Sequence, residues 1–240
     1  MEDQLQQLIK DYQPADEILS TIKNVPKVFL VGIAAAGKNA ILKKVMDSGN
    51  YYELVTCTTR PPRSNGGQME KEGDEYYFIS HQKAIDMLQN HEFVEAKWVH
   101  RQNLYGTLVS EFEKAKKLNK TTIADIDVAG IDEYMKITPE TTKPIFILPP
   151  DFDTWQQRFK ARYEGLLGEG EFQNRLYTAA QEIEHVLTQS YYSIIINDDL
   201  TDAAHQVQSI ASGEDQPDLA WQRGSKVAHE ILEAIRTSTR

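Results

Sequence analysis

The sequence predicts an α/β fold, a three-layer P-loop core with a parallel sheet, and three observations predict it. A short apolar run rich in β-formers, Lys27-Val-Phe-Leu-Val31, leads directly into Gly32-Ile-Ala-Ala-Ala-Gly37-Lys38-Asn39. After that loop, Ile41, Leu42, Val45 and Met46 fall on one helical face. Further apolar runs at 121–128, 144–148 and 191–196 alternate with longer amphipathic stretches. That alternation is the pattern of strands laid parallel through helical crossovers. Ligands of such sheets sit outside the carboxyl ends of the strands, where the glycine loop, Asp127 and Pro149-Pro150 are expected.

The loop has the spacing G-x-x-x-x-G-K. Glycines let a backbone wrap a polyphosphate, a turn aims N–H groups at its oxygens, and a following helix adds positive potential at its N-terminus. Lys38 supplies a point charge for terminal phosphates. The competing reading is an ordinary strand–turn–helix connection whose glycines serve only the turn. Asn39 stands where a Ser or Thr hydroxyl would hold Mg²⁺.

Composition bounds the rest. A chain of 240 residues with 40% hydrophobic residues can bury a sizeable core as one domain with appendages or two small ones. A net charge of −10 argues against a general nucleic-acid or anionic-membrane binder, while leaving room for a phosphorylated small molecule met by a local cluster of Arg and Lys. The single cysteine, Cys57, excludes an intrachain disulfide and reads as a small buried strand residue in a reducing compartment. Without a basic-then-apolar leader or an 18-residue apolar run, a soluble cytoplasmic protein is expected. The six histidines (His81, His91, His100, His185, His205, His229) show no metal-ligand spacing.

In chain order, residues 1–25 carry aliphatics at helical spacing broken at Gln13-Pro14, so one or two short amphipathic helices are expected, docked on the chain's own core. Ser48-Gly49-Asn50 stops the loop helix, and residues 51–59 read as one strand. Arg60-Pro61-Pro62-Arg63 makes a stiff cationic corner. A polar glycine-rich loop (64–73) follows, then a strand at 75–79, a helix at 81–91 and a strand at 92–99. After a turn come Tyr105-Gly106-Thr107 and a charged helix near 108–118. The stretch from Asp151 to about Glu184 is polar and helical, interrupted by Gly165, Gly168 and Gly170, and reads as a mobile lid. A helix runs to about Ala211, residues 212–217 are a linker, and Val227, Ile231 and Ile235 mark an amphipathic tail helix.

From about Lys27 to Ala211 the chain resembles the guanylate kinases, P-loop nucleoside-monophosphate kinases that move the γ-phosphoryl of ATP onto GMP. Five blocks in order carry the resemblance: the loop 32–38; Thr58-Thr59-Arg60-x-Pro62-Arg63; Tyr76-x-Phe78 after Gly73; Glu95 with Tyr105-Gly106-Thr107; and Asp125-Ile-Asp127 with Gly130. Pro149-Pro150, the spaced arginines and Asn197-Asp-Asp support it. The resemblance implies a core (26–58, 108–150 and 185–212), an inserted GMP-binding subdomain with a small mixed sheet (59–107) and a helical lid (151–184). Together these form a domain over 26–212; a helical N-terminal extension at 1–25 and a C-terminal extension at 213–240 lie outside the resemblance.

The resemblance further implies that Gly32, Ala34, Ala35, Ala36, Gly37, Lys38, Asn39 and Ala40 bind ATP. Arg60, Arg63, Tyr76 and Tyr105 would hold the GMP phosphate, two guanidiniums and two phenols around one dianion. Glu95 and Asp127 would accept from the guanine N1 and 2-amino groups, with Thr56 and Thr107 bonding the base. Acceptor carboxylates select a base edge rich in donors, which adenine lacks. Lys38, Arg60, Arg63 and the lid arginines Arg158, Arg162 and Arg175 would neutralise charge in transfer. Asn39, and Asp125 through water, would serve Mg²⁺ arriving with ATP. Thr56 replaces the usual serine, and the loop after Arg63 is longer than is usual and lacks its Gly-Glu. The implied partners are ATP and GMP, with neither nucleic acid nor membrane, and the protein is expected as a monomer or homodimer. Two other functions stay open: a catalytically weak interaction module binding phosphorylated ligands, and a kinase for another small phosphorylated acceptor.

Overall fold

The computed structural model describes residues 2–65, 68–99, 102–163, 169–214 and 217–238. In chain order the helices are α1 (Glu2–Asp11), α2 (Asp16–Lys23), α3 (Lys38–Met46), α4 (His81–Gln89), α5 (Val109–Lys117), α6 (Val128–Ile137), α7 (Phe152–Tyr163), α8 (Glu169–Leu187), α9 (Leu200–Ser212) and α10 (Pro217–Ser238). The strands are β1 (Lys27–Val31), β2 (Tyr51–Glu53), β3 (Thr56–Thr58), β4 (Ser64–Asn65), β5 (Gln68–Met69), β6 (Tyr76–Phe78), β7 (Phe93–Val99), β8 (Asn103–Leu108), β9 (Thr121–Asp125), β10 (Thr142–Leu148) and β11 (Ser193–Ile196). Two compact units result, one of Met1–Pro26 with Tyr52–Thr122, the other of Lys27–Tyr51 with Ile123–Arg240.

A five-stranded parallel sheet has the order β11-β10-β1-β9-β2. Its central strand β1 is buried throughout, as a strand covered on both faces must be. Register is set by Phe29↔Pro144 and Leu30↔Ile145 on one side of β10 and Phe146↔Ile194 on the other. In the second unit, α3 buries Ile41, Leu42 and Val45 and packs on α9, and Phe29 meets Tyr134 of α6 with ring centroids 4.6 Å apart. The expected tail helix is α10. It lies along β11 and α8, burying Ala228, Ile231, Leu232 and Ile235, and Gly224 comes so close to Ile194 that a Cβ would collide with it. The linker before it begins at Gly213, a left-handed C-cap to α9.

The first unit is built on a four-stranded mixed sheet, β6-β3-β8-β7, in which β3 runs parallel to β6 and antiparallel to β8. Leu5 of α1 is fully buried among Ala84, Ile85 and Leu88 of α4 and Phe93 and Leu104, while Tyr12 donates to the Phe93 carbonyl. The N-terminal helices thus dock on the chain itself, α2 against α5.

Three local expectations are corrected. Residues 51–59 form two strands in two sheets, because the chain breaks step at Leu54-Val55, where the Val55 N–H donates to the Glu111 carboxylate at 3.1 Å. The polar loop at 64–73 contains a two-stranded ladder, Ser64↔Met69. The strand expected to reach Val128 ends at Asp125, and Asp127 becomes the N-cap of α6, accepting from Gly130 N at 2.6 Å. Gly165 and Gly168, expected to interrupt the lid, lie outside the described residues. Among the described residues, no helix is long and apolar enough to cross a membrane.

Lys27, at the start of β1, is fully buried, its amine donating to Thr141 Oγ1 at 2.9 Å. Burial pulls its pKa from 10.5 down to about 7. Between these values the unfolded chain holds the extra proton, so stability rises with pH from about 7 to 10.5. Lys27→Met is therefore expected to unfold at a higher temperature than wild type at pH 7, the full penalty being on the order of 4 kcal/mol. The advantage should shrink towards pH 10 in a series of thermal melts; a difference independent of pH would contradict this assignment.

Candidate functional site

The second unit holds the glycine loop. Gly32 leaves β1 at φ 144° and lies so close to the Ile147 carbonyl of β10 that a Cβ would collide with it. Ala35 takes a left-handed φ of 64°, and Gly37, at 96°, caps α3 where a Cβ would strike the Asn197 side chain. The loop is held by its carbonyls: Trp155 Nε1 donates to Ala34 O at 2.7 Å and Asn197 Nδ2 to Ala36 O at 2.8 Å. Lys38, the first residue of α3, folds back so that its ammonium donates to Gly32 O at 2.5 Å and stands 3.8 Å from Asp125 Oδ1. A cavity of about 280 Å³ opens here, lined by Ala34, Gly37, Lys38, Asn39, Ala40, Asp125, Arg162 and Tyr163. The opening turn of α3 turns its N–H groups to the same place, the usual seat of an anion.

The charges round this loop are in tension. Although its side chain is 38% exposed, desolvation by the surrounding protein raises the Asp125 pKa, against the pull of Lys38 and Arg162, and Asp127 raises it further. Glu182 of α8 is pushed up to about 7 by burial, with Lys38 opposing, Asp127 and Asp125 adding, and Arg175 opposing. Arg158 donates to the Asn197 carbonyl at 2.7 Å, and the Arg162 guanidinium lies 5.3 Å from the centre of the Tyr163 ring. Asp125 and Glu182 thus join Lys38, Asp127, Arg162 and Arg175 in one electrostatic group. Among the described residues, no group of three His, Cys, Asp or Glu side chains is placed to hold a metal by itself. His100 lies outside them.

The first unit carries the remaining residues. Side chains alternate across a strand, so register decides which of them share a face. Thr56 pairs with Tyr76, Thr58 with Tyr105, and Glu95 with Thr107. Thr56, Tyr76, Glu95, Tyr105 and Thr107 therefore share one face, and Cys57, Tyr77 and Ala96 belong to the other, on the hydrophobic core. Gly106, between Tyr105 and Thr107, is demanded by packing: a Cβ would lie 2.7 Å from both the Glu95 carbonyl and the Phe93 ring. Thr107 Oγ1 donates to Glu95 Oε1 at 2.7 Å.

Arg60 is 5% exposed and lies 4.8 Å above the Tyr76 ring. Its Nε donates to the Tyr105 hydroxyl at 2.8 Å, Nη1 to Pro61 O at 3.0 Å and to Glu70 Oε2 at 2.6 Å, and Nη2 to Glu70 Oε1 at 2.8 Å. Among the described residues, those bonds engage four of the roughly five N–H donors of a guanidinium. Glu70 Oε2 also accepts from Arg63 N at 2.8 Å, whereas the Arg63 side chain is exposed. Arg60, Tyr76 and Tyr105 are brought together; Asp127, expected beside the guanine, belongs to the other unit.

Sequence reasoning missed Glu70, Glu182, Trp155, Tyr163 and Asn197 as a loop anchor. Two had a signal. Glu182 lies seven residues after Arg175, two helical turns along the same face, and Trp155 lies seven before Arg162 on α7. Glu70 had none, because the β4–β5 ladder that returns it to Arg63 is set by contacts within a polar loop.

The family model described as guanylate kinase matches residues 25–214. The guanylate kinase of Nitrosomonas europaea is 32% identical over 185 residues, covering 75% of this chain and 86% of that protein. That of Schizosaccharomyces pombe is 31% identical over 196 residues, covering 80% and 92%. A crystal structure of guanylate kinase from Anaplasma phagocytophilum superposes with a TM-score of 0.58 at 27% identity, covering 79% of this chain and 85% of that one.

The raised Glu182 pKa gives a test of the charge group. Its folded value, about 7, exceeds its ordinary 4.5, so the folded state holds the extra proton and stability falls as pH rises through that window. In nucleotide-free protein, Glu182→Gln should raise the melting temperature above pH 7 and lose that gain by about pH 4.5. An equal shift at both pH values would place Glu182 outside the group.

Proposed function

The chain belongs to the guanylate kinase family, and we propose that it transfers the γ-phosphoryl of ATP to GMP, giving ADP and GDP by in-line displacement. The observation that carries this reading is the shared face of Thr56, Tyr76, Glu95, Tyr105 and Thr107, with Arg60 laid over Tyr76. One end of that face offers a guanidinium and two phenols, suited to a phosphate dianion, with Arg63 at the exposed edge. The other offers a carboxylate. Thr107 engages Glu95 Oε1, and a carboxylate is the acceptor that the guanine N1–H and 2-amino group call for. Thr56 would add a hydroxyl.

ATP would lie with its phosphates along the loop 32–40. The loop amides and Lys38 would hold the β- and γ-phosphates, and Arg158, Arg162 and Arg175 would neutralise the charge that develops on transfer. A GMP phosphate oxygen attacks as the bond from γ-phosphorus to the bridging oxygen breaks. That oxygen is already anionic, so no protein nucleophile is needed and catalysis is positioning plus electrostatics. The donor set suits Mg²⁺: the Asp125 carboxylate and the Asn39 amide oxygen line one cavity, and Mg²⁺ bound with a nucleotide takes few protein ligands. Asn39 and, through water, Asp125 would hold it, and the ion would supply charge neutralisation for the phosphates.

Asn39, in place of a hydroxyl, favours a second reading: a module that binds phosphorylated ligands with little turnover. A coupled assay of ADP formation with ATP, Mg²⁺ and a panel of nucleoside monophosphates separates the two. GMP is expected as the preferred acceptor, and no ADP formation with GMP at millimolar concentrations would sink the kinase reading. Glu95→Ala should weaken GMP by about 2 kcal/mol, roughly 30-fold, through unpaired base donors; unchanged GMP binding would remove Glu95 from the base site. Asn39→Ser should leave GMP affinity alone and raise turnover or lower the Mg²⁺ requirement, read from a metal titration. Identical titrations would show that residue 39 is no metal ligand.

A further inference from the structure

Glu111 of α5 is fully buried, and none of the roles above uses it. Its Oε2 accepts from the Tyr52 hydroxyl at 3.0 Å and from Val55 N at 3.1 Å. Its Oε1 accepts from the Tyr77 hydroxyl at 3.1 Å and from Lys114 Nζ at 2.6 Å, and Lys114 also donates to the Tyr77 hydroxyl at 3.1 Å. Removing a carboxylate from water costs several kcal/mol unless its oxygens are well satisfied, and charge-assisted bonds of this kind offset that cost.

The donors are placed tellingly. Val55 immediately precedes Thr56, and Tyr77 immediately follows Tyr76. β3 and β6 are three residues each and pair Thr56↔Tyr76, Cys57↔Tyr77 and Thr58↔Phe78. By alternation Cys57 and Tyr77 belong to the face opposite the acceptor residues, and the Glu111 charge is felt there: the Cys57 thiol is pushed up to about 12 by burial first and by Glu111 second. Strands this short have few ladder bonds to hold their register, and Val55 N–H meets a carboxylate in the gap between β2 and β3.

We propose that Glu111 is a positioning residue for the acceptor face: from behind the sheet it ties the entry of β3 to β6, and so holds Thr56 and Tyr76 where the base and phosphate of a nucleoside monophosphate are met. The inference rests on the acceptor-site reading of that face. It concerns GMP and not the loop that would hold ATP, so its signature is a selective one.

The test uses the full chain, with kcat, the KM for GMP, the KM for ATP and the GMP dissociation constant measured for each variant. Glu111→Leu should raise the KM and dissociation constant for GMP about tenfold or more, leaving the KM for ATP within about twofold. Glu111→Gln keeps an oxygen for Val55 N–H and the Tyr52 hydroxyl and should stay within about threefold of wild type, and Tyr77→Phe should cost about two- to fivefold on GMP alone. GMP affinity within twofold of wild type in Glu111→Leu, or equal rises in both KM values, overturns the proposal. Should Glu111→Leu not fold, unchanged GMP affinity in Tyr77→Phe does the same. Failure of the underlying reading looks different: the wild type itself would not bind GMP, and both readings would fall together. A wild type that binds GMP without turning it over leaves the dissociation constants to decide.

Discussion

Gly32 leaves the central strand against the carbonyl oxygen of Ile147, in space that no side chain can enter. The parallel register of β1 on β10, with Val31 opposite Phe146, brings the two backbones together there. From that contact the rest of the loop follows. Gly37 must yield to Asn197, which stands just beyond β11, and the Asn197 amide in turn holds the Ala36 carbonyl. Trp155 takes the Ala34 carbonyl, and the same face of α7 continues through Arg158 to Arg162. The glycines answer a demand of the sheet, and the same glycines give the loop its phosphate-binding spacing.

The two units treat their desolvated charges differently. In the first, Arg60 is closed by Glu70 and Tyr105, and Glu111 by two phenols, a backbone amide and Lys114. In these networks each charge has its partner in the fold. In the second, burial raises the pKa of both Asp125 and Glu182 despite the lysine and arginines near them. Carboxylates held in such tension mark a candidate functional place. Arg60 is the interesting intermediate. It lies in the acceptor face, yet Glu70 engages both of its Nη atoms, so a phosphate arriving there would meet the guanidinium chiefly through its charge and the neighbouring phenols.

Local patterns were legible in the sequence where the physics is local. Strand, loop and helix from Lys27 to Met46 are written in periodicity and in two glycines, and the N-terminal helices in aliphatic spacing. Arg60, Tyr76, Glu95 and Tyr105 were reachable only through resemblance, because their spacing along the chain says nothing of the register that gathers them. The break at Leu54-Val55 was invisible, since it depends on a carboxylate more than fifty residues away. Asp125 and Asp127 looked like one strand end, and the N-cap bond to Gly130 separates them.

By itself, then, the amino-acid sequence determined that a buried parallel sheet leads into a glycine loop of phosphate-binding spacing, whereas the fit of a second set of residues to a guanine nucleotide came only through resemblance to a family. The sheet and the loop follow from hydrophobic period and glycine, which act over a turn or a few residues. Only the tertiary structure decided which side chains share a face of the mixed sheet, that Glu70 closes on Arg60, and that Glu111 lies beneath Thr56 and Tyr76. The reason is physical: a one-residue change of register would reverse the faces of the mixed sheet, and register is fixed by contacts between segments that are distant along the chain.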